Sequence, residues 1–256
     1  MPDDPGFATP PRRSFILRAA AIALLVIVAG AVAYNAWRTR GIESRLLRLP
    51  ADAITADKSL TDFASRRGKS AYAAHCAQCH GADLHGDMKR GVPDLEDGVW
   101  LYGVGAISDI EQTIQYGIRS GHPKAHNITD MPAFLRIGQL SAAEIGDVIE
   151  YVMSLQGKPH DAAAAERGYQ LYSNKGNCFD CHSSDALGNP DYGAPALTGP
   201  VWNYGGDEEA LRVSVSEGRH GLCPAWTGML SPATMRELAV YLHDVSKHAS
   251  SAAPQG

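Results

Sequence analysis

The sequence lacks a surplus of positive charge: its 256 residues include 23 lysines and arginines against 28 aspartates and glutamates. Residues 1–48 carry seven of the arginines, so residues 49–256 have a net charge of −9. An acidic body repels a polyanion, which argues against nucleic acid as a partner. The chain also lacks a convincing run of alternating apolar and polar residues, so we expect no sheet.

The composition is equally far from that of a disordered or collagen-like chain. Hydrophobic residues make up 45% of the sequence and charged residues 20%, which is enough for a packed core. The 26 glycines and 15 prolines predict many turns and loops. A chain of this length predicts one large domain or two small ones.

A stretch without charge lies near the N-terminus, from Ala19 to Tyr34. Extended to residues 15–37, it would span roughly 34 Å as a helix, against about 30 Å of bilayer hydrocarbon. We predict a transmembrane anchor over 15–37, between an N-terminal segment 1–14 and a stalk 38–65. The alternative is a signal peptide cleaved after Ala31-Val32-Ala33. Both interpretations export the rest of the chain.

An internal repeat follows. Cys76-Ala77-Gln78-Cys79-His80 recurs after 102 residues as Cys178-Phe179-Asp180-Cys181-His182. The same offset relates two further segment pairs: 91–95 with 193–197 (Gly-x-Pro-x-Leu), and 99–103 with 201–205 (Val-Trp-x-Tyr-Gly). Pro132-Ala133-Phe134 matches residues 224–226 at an offset of 92, so the first copy holds a ten-residue insertion near 122–130.

Each copy closes with an amphipathic helix signal. Ser141 to Glu144 form a capping-box pattern before one apolar stripe, and Ser231-Pro232 begins the other. We therefore predict an all-α chain in which the anchor precedes two tandem cytochrome c-like (class I) domains, 66–156 and 163–247. Residues 248–256 are predicted to be a disordered tail.

A Cys-x-x-Cys-His run is typical of covalent haem c attachment. Cys76 and Cys79 would form thioethers in the first copy, with His80 as iron ligand. Cys178, Cys181 and His182 would do the same in the second. A redox disulfide or a zinc site is the alternative for one isolated motif. Two copies, each followed by a Gly-x-Pro-x-Leu segment, favour two covalently bound haems.

A candidate sixth iron ligand follows each motif, about 50 residues later in the first copy. In the first repeat Met131 is the best candidate, since a thioether suits an electron carrier. His122 and His126, in the insertion, are weaker candidates. A methionine at such a position could also be core filler.

The aligned residue of the second repeat is Cys223, the one cysteine left after four thioethers. As a ligand it would bind as thiolate and lower the reduction potential of that haem. Its rivals are Met229, His220, or an open position beside an inert thiol.

With these motifs, the Gly-Ile-Arg run ending at Arg119 and the Met-Pro-Ala-Phe segment, the chain resembles subunit III of cbb3-type cytochrome c oxidases. The resemblance covers both repeats, about residues 66–247. It implies a periplasmic dihaem relay anchored by one pass in the bacterial inner membrane. The implied partners are membrane lipid, a cytochrome c donor, a monohaem cytochrome c subunit and the haem-copper subunit that reduces oxygen.

The resemblance also leaves open whether the two repeats exchange their sixth ligands. Where this family normally has Met, the second repeat has Cys223. The expected protein has no active site of its own. A stand-alone anchored dihaem carrier is one alternative function, and a thiosulfate-oxidising cytochrome with a His/Cys-ligated haem is another.

Overall fold

The computed structural model describes residues 12–252, and the side chains of residues 15–247. Residues 1–11 and 253–256 lie outside this range, and with them most of the predicted segment 1–14 and the end of the predicted tail. The described residues form helices and isolated β-bridges without a strand, which confirms the helical fold class. The α-helices are α1 (Arg12–Arg48), α2 (Lys58–His75), α3 (Ala77–His80), α4 (Ile107–Tyr116), α5 (Ala142–Leu155), α6 (Ala162–Ser173), α7 (Phe179–His182), α8 (Glu208–Glu217) and α9 (Pro232–Ala252). Two 3₁₀ helices cover Ala51–Ala56 and Met88–Arg90.

The chain divides into two compact units, residues 1–48 and residues 49–256. The first unit contains α1, whose span Phe15–Arg48 is long and apolar enough to cross a membrane by length and composition. Its most apolar segment is fully unburied, whereas the core helix of a soluble protein would be mostly buried. A signal sequence passes the same length and composition test.

In the second unit the predicted helix starts are confirmed. The Ser141 hydroxyl accepts a hydrogen bond from the Glu144 amide, and the Glu144 carboxylate accepts one from the Ser141 amide, which completes the capping box. The hydroxyl of Ser231 accepts a hydrogen bond from the amide of Thr234 at the start of α9. The apolar stripes of both helices are buried, as amphipathic spacing predicts.

Helix α2 packs along α9, and a glycine sets the distance between them. A Cβ at Gly68 would overlap the backbone carbonyl of Glu237, so no larger residue fits this crossing. Beside it, the Arg67 guanidinium is 2.6 Å from the almost fully buried carboxylate of Glu237. The rings of Tyr72 and Tyr241 are 5.8 Å apart between the same helices.

Helices α5 and α6 form a second pair with the same design. A Cβ at Gly168 would overlap the backbone carbonyl of Asp147. Arg167 donates two hydrogen bonds to the Asp147 carboxylate, at 2.9 and 2.7 Å. The rings of Tyr151 and Tyr172 meet edge to face at 5.3 Å.

The repeats therefore exchange their closing helices. Helix α9 ends the second repeat but packs on α2 and α4 of the first, whereas α5 ends the first repeat and packs on α6 and α8 of the second. The chain thus builds one helical half from α2, α3, α4 and α9. The other half, α5 to α8, is inserted between α4 and α9 in sequence.

We expect Gly68→Ala and Gly168→Ala each to destabilise the protein by about 1–3 kcal/mol, because the new methyl group meets backbone that cannot rotate away. Chemical denaturation of the purified protein measures this. Gly146→Ala in α5 is the matched control, since a Cβ there meets nothing within 4 Å. That control should gain about 0.5–1 kcal/mol from helix propensity. Equal effects at all three glycines would contradict the crossing geometry.

Candidate haem sites

A single cavity of about 860 Å³ in the second unit is lined by both Cys-x-x-Cys-His runs. Its volume lies at the upper end of the usual range for ligand pockets, about 300–1,000 Å³. Met131 and Cys223, the two predicted sixth ligands, line the same cavity. The structure therefore brings all eight predicted site residues to one internal space.

The first motif forms a single helical turn directly after α2. Both the Cys79 and His80 amides donate to the Cys76 carbonyl, at 3.1 and 3.0 Å, so Cys76 and Cys79 lie on one side of the turn. Gly81, with φ +78°, ends the turn in a conformation that glycine adopts readily. The Nδ1 atom of His80 lies 3.4 Å from the carbonyl oxygen of Pro93. This contact orients the ring and leaves Nε2 for a ligand.

The second motif repeats this geometry in α7. The amides of Cys181 and His182 donate to the carbonyl of Cys178, at 3.3 and 2.9 Å. Ser183 ends the turn at φ +63°, where the first repeat has glycine. The Nδ1 atom of His182 lies 2.9 Å from the carbonyl oxygen of Pro195. Pro93 and Pro195 thus each orient a motif histidine through a backbone carbonyl.

Burial decides the protonation of these groups. Removal from water raises the pKa of Cys76 and of Cys178 to about 11, so both thiols are protonated at neutral pH. Burial also lowers the pKa of His80 and of His182, and neutral imidazole is the form that ligates a metal. A redox Cys-x-x-Cys motif depends on a thiol with a lowered pKa, which is the opposite shift.

A zinc site needs ligands that converge. Among the described residues, no three side chains of histidine, cysteine, aspartate or glutamate come together in a way that could hold a metal ion. Each motif instead presents two thiols along one turn and a separate imidazole. This donor set fits covalent attachment of a haem better than it fits a structural zinc ion.

Cys223 lies beside the first motif, not beside the motif of its own repeat. It pairs with Ile118, which follows α4, through two backbone hydrogen bonds of 2.9 and 3.0 Å. Burial and the nearby Cys79 thiol raise the pKa of Cys223 to about 11. The same proximity adds to the raised pKa of Cys76.

Met131 lies beside the second motif. Its backbone pairs with Arg219 through hydrogen bonds of 3.2 and 3.1 Å, and its side chain packs on the buried cluster that also contacts Cys178. Two residues earlier, the Thr129 hydroxyl is 4.0 Å from the Cys181 sulfur. Like the closing helices, each candidate sixth ligand therefore lies near the motif of the other repeat.

The weaker candidates have other contacts. Met229 is 63% exposed, and Nδ1 of His220 lies 2.8 Å from the carboxylate of Asp130. In the insertion, His122 stacks on Tyr116 with ring centroids 4.8 Å apart.

His126 stacks on Tyr102, with ring centroids 4.1 Å apart, and burial lowers its pKa.

Two tyrosines also make contacts between the repeats, which the sequence did not reveal. A Cβ at Gly193 would overlap the ring of Tyr102, and one at Gly91 would overlap the ring of Tyr204. Each glycine begins the Gly-x-Pro segment whose proline carbonyl faces a motif histidine. Each of these segments is thus packed against a tyrosine of the other repeat. The 102-residue offset marks the two tyrosines as equivalent but does not show what they touch.

Comparison with known proteins gives two matches along the chain. Residues 65–156 match the family described as Cytochrome c. Residues 163–242 match the family described as Cytochrome C oxidase, cbb3-type, subunit III. These matches confirm the prediction of two cytochrome c domains.

Similar curated proteins share 36–42% identity with the chain. The FixP subunit of a cbb3-type oxidase from Bradyrhizobium diazoefficiens is 42% identical over 196 residues, which are 75% of this chain and 64% of FixP. The CcoP subunit of Cereibacter sphaeroides is 37% identical over 202 residues, 79% of this chain and 68% of CcoP. That of Rhodobacter capsulatus is 36% identical over 222 residues, 84% and 73% of the two chains.

The chain thus spans a little under two thirds of the length of the FixP relatives and somewhat more of the CcoP relatives. Together with the crossed cavity and its paired motifs, these identities show that the chain belongs to the family of subunit III of cbb3-type cytochrome c oxidases.

Proposed function

We propose that the chain is the dihaem electron-transfer subunit of a cbb3-type oxidase and passes single electrons from a cytochrome c donor toward a haem-copper subunit. The observation that carries the proposal is the shared cavity, onto which two Cys-x-x-Cys-His turns open with neutral histidines. Two redox centres held in one internal space suit a relay, since short separations favour electron transfer. A binding pocket for a reacting substrate is not needed.

The residues around the cavity fit two c-type haems. Cys76 and Cys79 would hold one by thioether bonds and His80 would bind its iron. The corresponding residues of α7 and the turn before it, Cys178, Cys181 and His182, would hold the other. Such a group supplies reversible one-electron oxidation of its iron. The protein orients each imidazole through a proline carbonyl and excludes water with apolar side chains.

We further propose that the sixth ligands are exchanged. Cys223 lies near Cys79 and would serve the iron of His80. Met131 packs on the buried cluster that Cys178 also contacts, two residues after Thr129, which lies 4.0 Å from the Cys181 sulfur, and would serve the iron of His182. The alternative is that each repeat supplies its own sixth ligand. The exchanged assignment is supported by the two backbone pairings, Ile118 with Cys223 and Met131 with Arg219.

The two proposed ligands differ in charge. A cysteine bound to a metal is deprotonated, and its negative charge stabilises the oxidised iron and lowers the potential. A methionine thioether is neutral and raises the potential. The two centres would therefore differ in reduction potential even if their histidines were held in the same way.

The proposed location is the bacterial inner membrane, with α1 as a single-pass anchor and both haem domains in the periplasm. The apolar span Phe15–Arg48 and the family of the chain support this location. The proposed partners are the haem-copper subunit, the monohaem cytochrome c subunit, membrane lipid and a cytochrome c donor.

Purification of a tagged full chain from membranes tests the function. We expect it to carry two covalent haems by mass and to co-purify with copper and with oxygen consumption driven by reduced cytochrome c. A dihaem protein free of copper would instead support the stand-alone carrier. Reduction of the isolated protein by thiosulfate would support the thiosulfate-oxidising alternative.

The exchange of ligands is tested on proteins that keep one haem each. Replacing Cys178 and Cys181 by alanine leaves the first haem, and replacing Cys76 and Cys79 leaves the second. We expect Cys223→Ala to change the electron paramagnetic resonance spectrum of the first protein and not of the second, because its sulfur lies beside the first motif.

Met131→Ala provides the matched control and should change the second protein and not the first. The reverse pattern for the two variants would show that each repeat ligates its own iron.

The charge of −9 on residues 49–256 predicts a donor with a basic face. We expect the association rate with such a donor to fall by about tenfold or more between low and physiological salt. Stopped-flow reduction at several ionic strengths measures this rate. A neutral small-molecule reductant is the control and should show no such fall. A rate with the protein donor that does not depend on salt would contradict electrostatic steering.

A further inference from the structure

One arginine connects the two segments that carry the candidate sixth ligands. Arg119 follows Ile118, the backbone partner of Cys223, and its side chain is only 17% exposed. Its Nε atom donates a hydrogen bond to the carbonyl of Gly221, in the segment of Cys223. A terminal nitrogen donates to the carbonyl of Thr129, 3.0 Å away, in the segment of Met131.

An ion pair strengthens the same connection. The Arg119 guanidinium lies 3.3 Å from the carboxylate of Asp130, the residue directly before Met131. The other oxygen of Asp130 lies 2.8 Å from His220, which belongs to the Cys223 segment. Arg119, Asp130 and His220 therefore form one polar network across the crossing point of the two segments.

The backbone of Arg119 shows that the position is constrained. Its φ of +48° lies in the left-handed region, which a residue with a Cβ seldom adopts. Its amide donates to the carbonyl of His126 at 3.1 Å, which fixes this conformation. Strain of this kind persists where the surrounding contacts determine the geometry, and it aims the side chain at both segments.

Arg219, which also follows a helix-ending glycine, has different contacts. The guanidinium of Arg219 lies 4.1 Å above the ring of Tyr204, and its Nε donates to the hydroxyl of Ser214 at 3.0 Å. The position equivalent to Arg119 is His220, because Gly117 and Gly218 both end a helix and the residues after them, Ile118 and Arg219, make the matching backbone pairs. Arg119 has a side chain that reaches both ligand segments. Its planar fork of donors suits two carbonyls and a carboxylate at once.

We propose that Arg119 is a positioning residue that holds Cys223 and Met131 in register, so that both sixth ligands depend on one side chain. The inference rests on the proposed function and on its assignment of these two residues as ligands. The proposed role involves both haem sites, because loss of Arg119 would loosen two ligands that belong to different irons.

The test uses the full-length dihaem protein with Arg119→Gln. We expect carbon monoxide to bind both ferrous haems about tenfold more tightly or better, because outer contacts contribute about 10–100-fold to metal–ligand affinity and weakened ligands are easier to displace. The low-spin signals of both ferric haems should also decline. Cys223→Ala and Met131→Ala identify which signal belongs to which iron.

Arg212→Gln in α8 is the matched control, because its guanidinium pairs with Glu208 at 2.7 Å and does not line the cavity. It should leave both carbon monoxide affinities near those of the wild type. Arg119→Lys keeps the charge but cannot bridge three acceptors, so it should give an intermediate effect, and it serves if the glutamine variant does not fold. Thermal unfolding of each variant separates a general loss of stability from a change at the irons.

A change at one haem only, or at neither, would overturn the role of Arg119. An equal double change in Arg212→Gln would also overturn it, since loss of an arginine outside the cavity would then have the same effect. Haem counting by mass in the same samples reports separately on the proposed function. If fewer than two haems are attached to the wild type, the proposed function fails, and the inference about Arg119 fails with it.

Discussion

The two backbone crossings, Ile118 with Cys223 and Met131 with Arg219, are the contacts on which the rest of the second unit depends. Each crossing is a short backbone pairing between a segment of the first repeat and a segment of the second. Beyond these pairings, α5 of the first repeat packs on α6 of the second, and α9 of the second repeat packs on α2 of the first. The pairings lie where each closing helix meets the opening helix of the other repeat, beside the cavity that both motifs line.

The exchange also addresses a problem of size. A domain of about 90 residues buries a small core and is only marginally stable alone. In this chain each half takes helices from both repeats, and the ion pair of Arg67 with Glu237 joins α2 of the first repeat to α9 of the second. Tyr102 packs against Gly193 and Tyr204 against Gly91, so unfolding of one half would remove contacts from the other. Covalent attachment of the two haems would add to this coupling by tying each motif to the cavity.

Much of this could be predicted from the sequence, because it is local. Helix caps, the amphipathic stripes of α5 and α9 and the turn geometry at His80 and His182 depend on residues within a few positions. The choice between two similar helices does not. Gly68 and Gly168 each allow a partner helix to approach closely, and the tyrosines and ion pairs beside them are equivalent. The sequence pattern therefore does not tell whether α5 or α9 packs at a given glycine. The insertion near 122–130 is visible in the sequence. That its Thr129 lies 4.0 Å from the Cys181 sulfur is visible only in the structure.

The crossings change how a substitution propagates. In two independent domains, effects at distant sites add, whereas residues that share partners are energetically coupled. Here Tyr102 packs on the Gly-x-Pro segment that faces His182, and Tyr204 packs on the one that faces His80. The histidine side of each site is thus supported by the opposite repeat, as the sixth-ligand side is in the proposed exchange. Because both sides of each proposed site draw on both repeats, we expect a substitution in either repeat to affect both proposed redox centres.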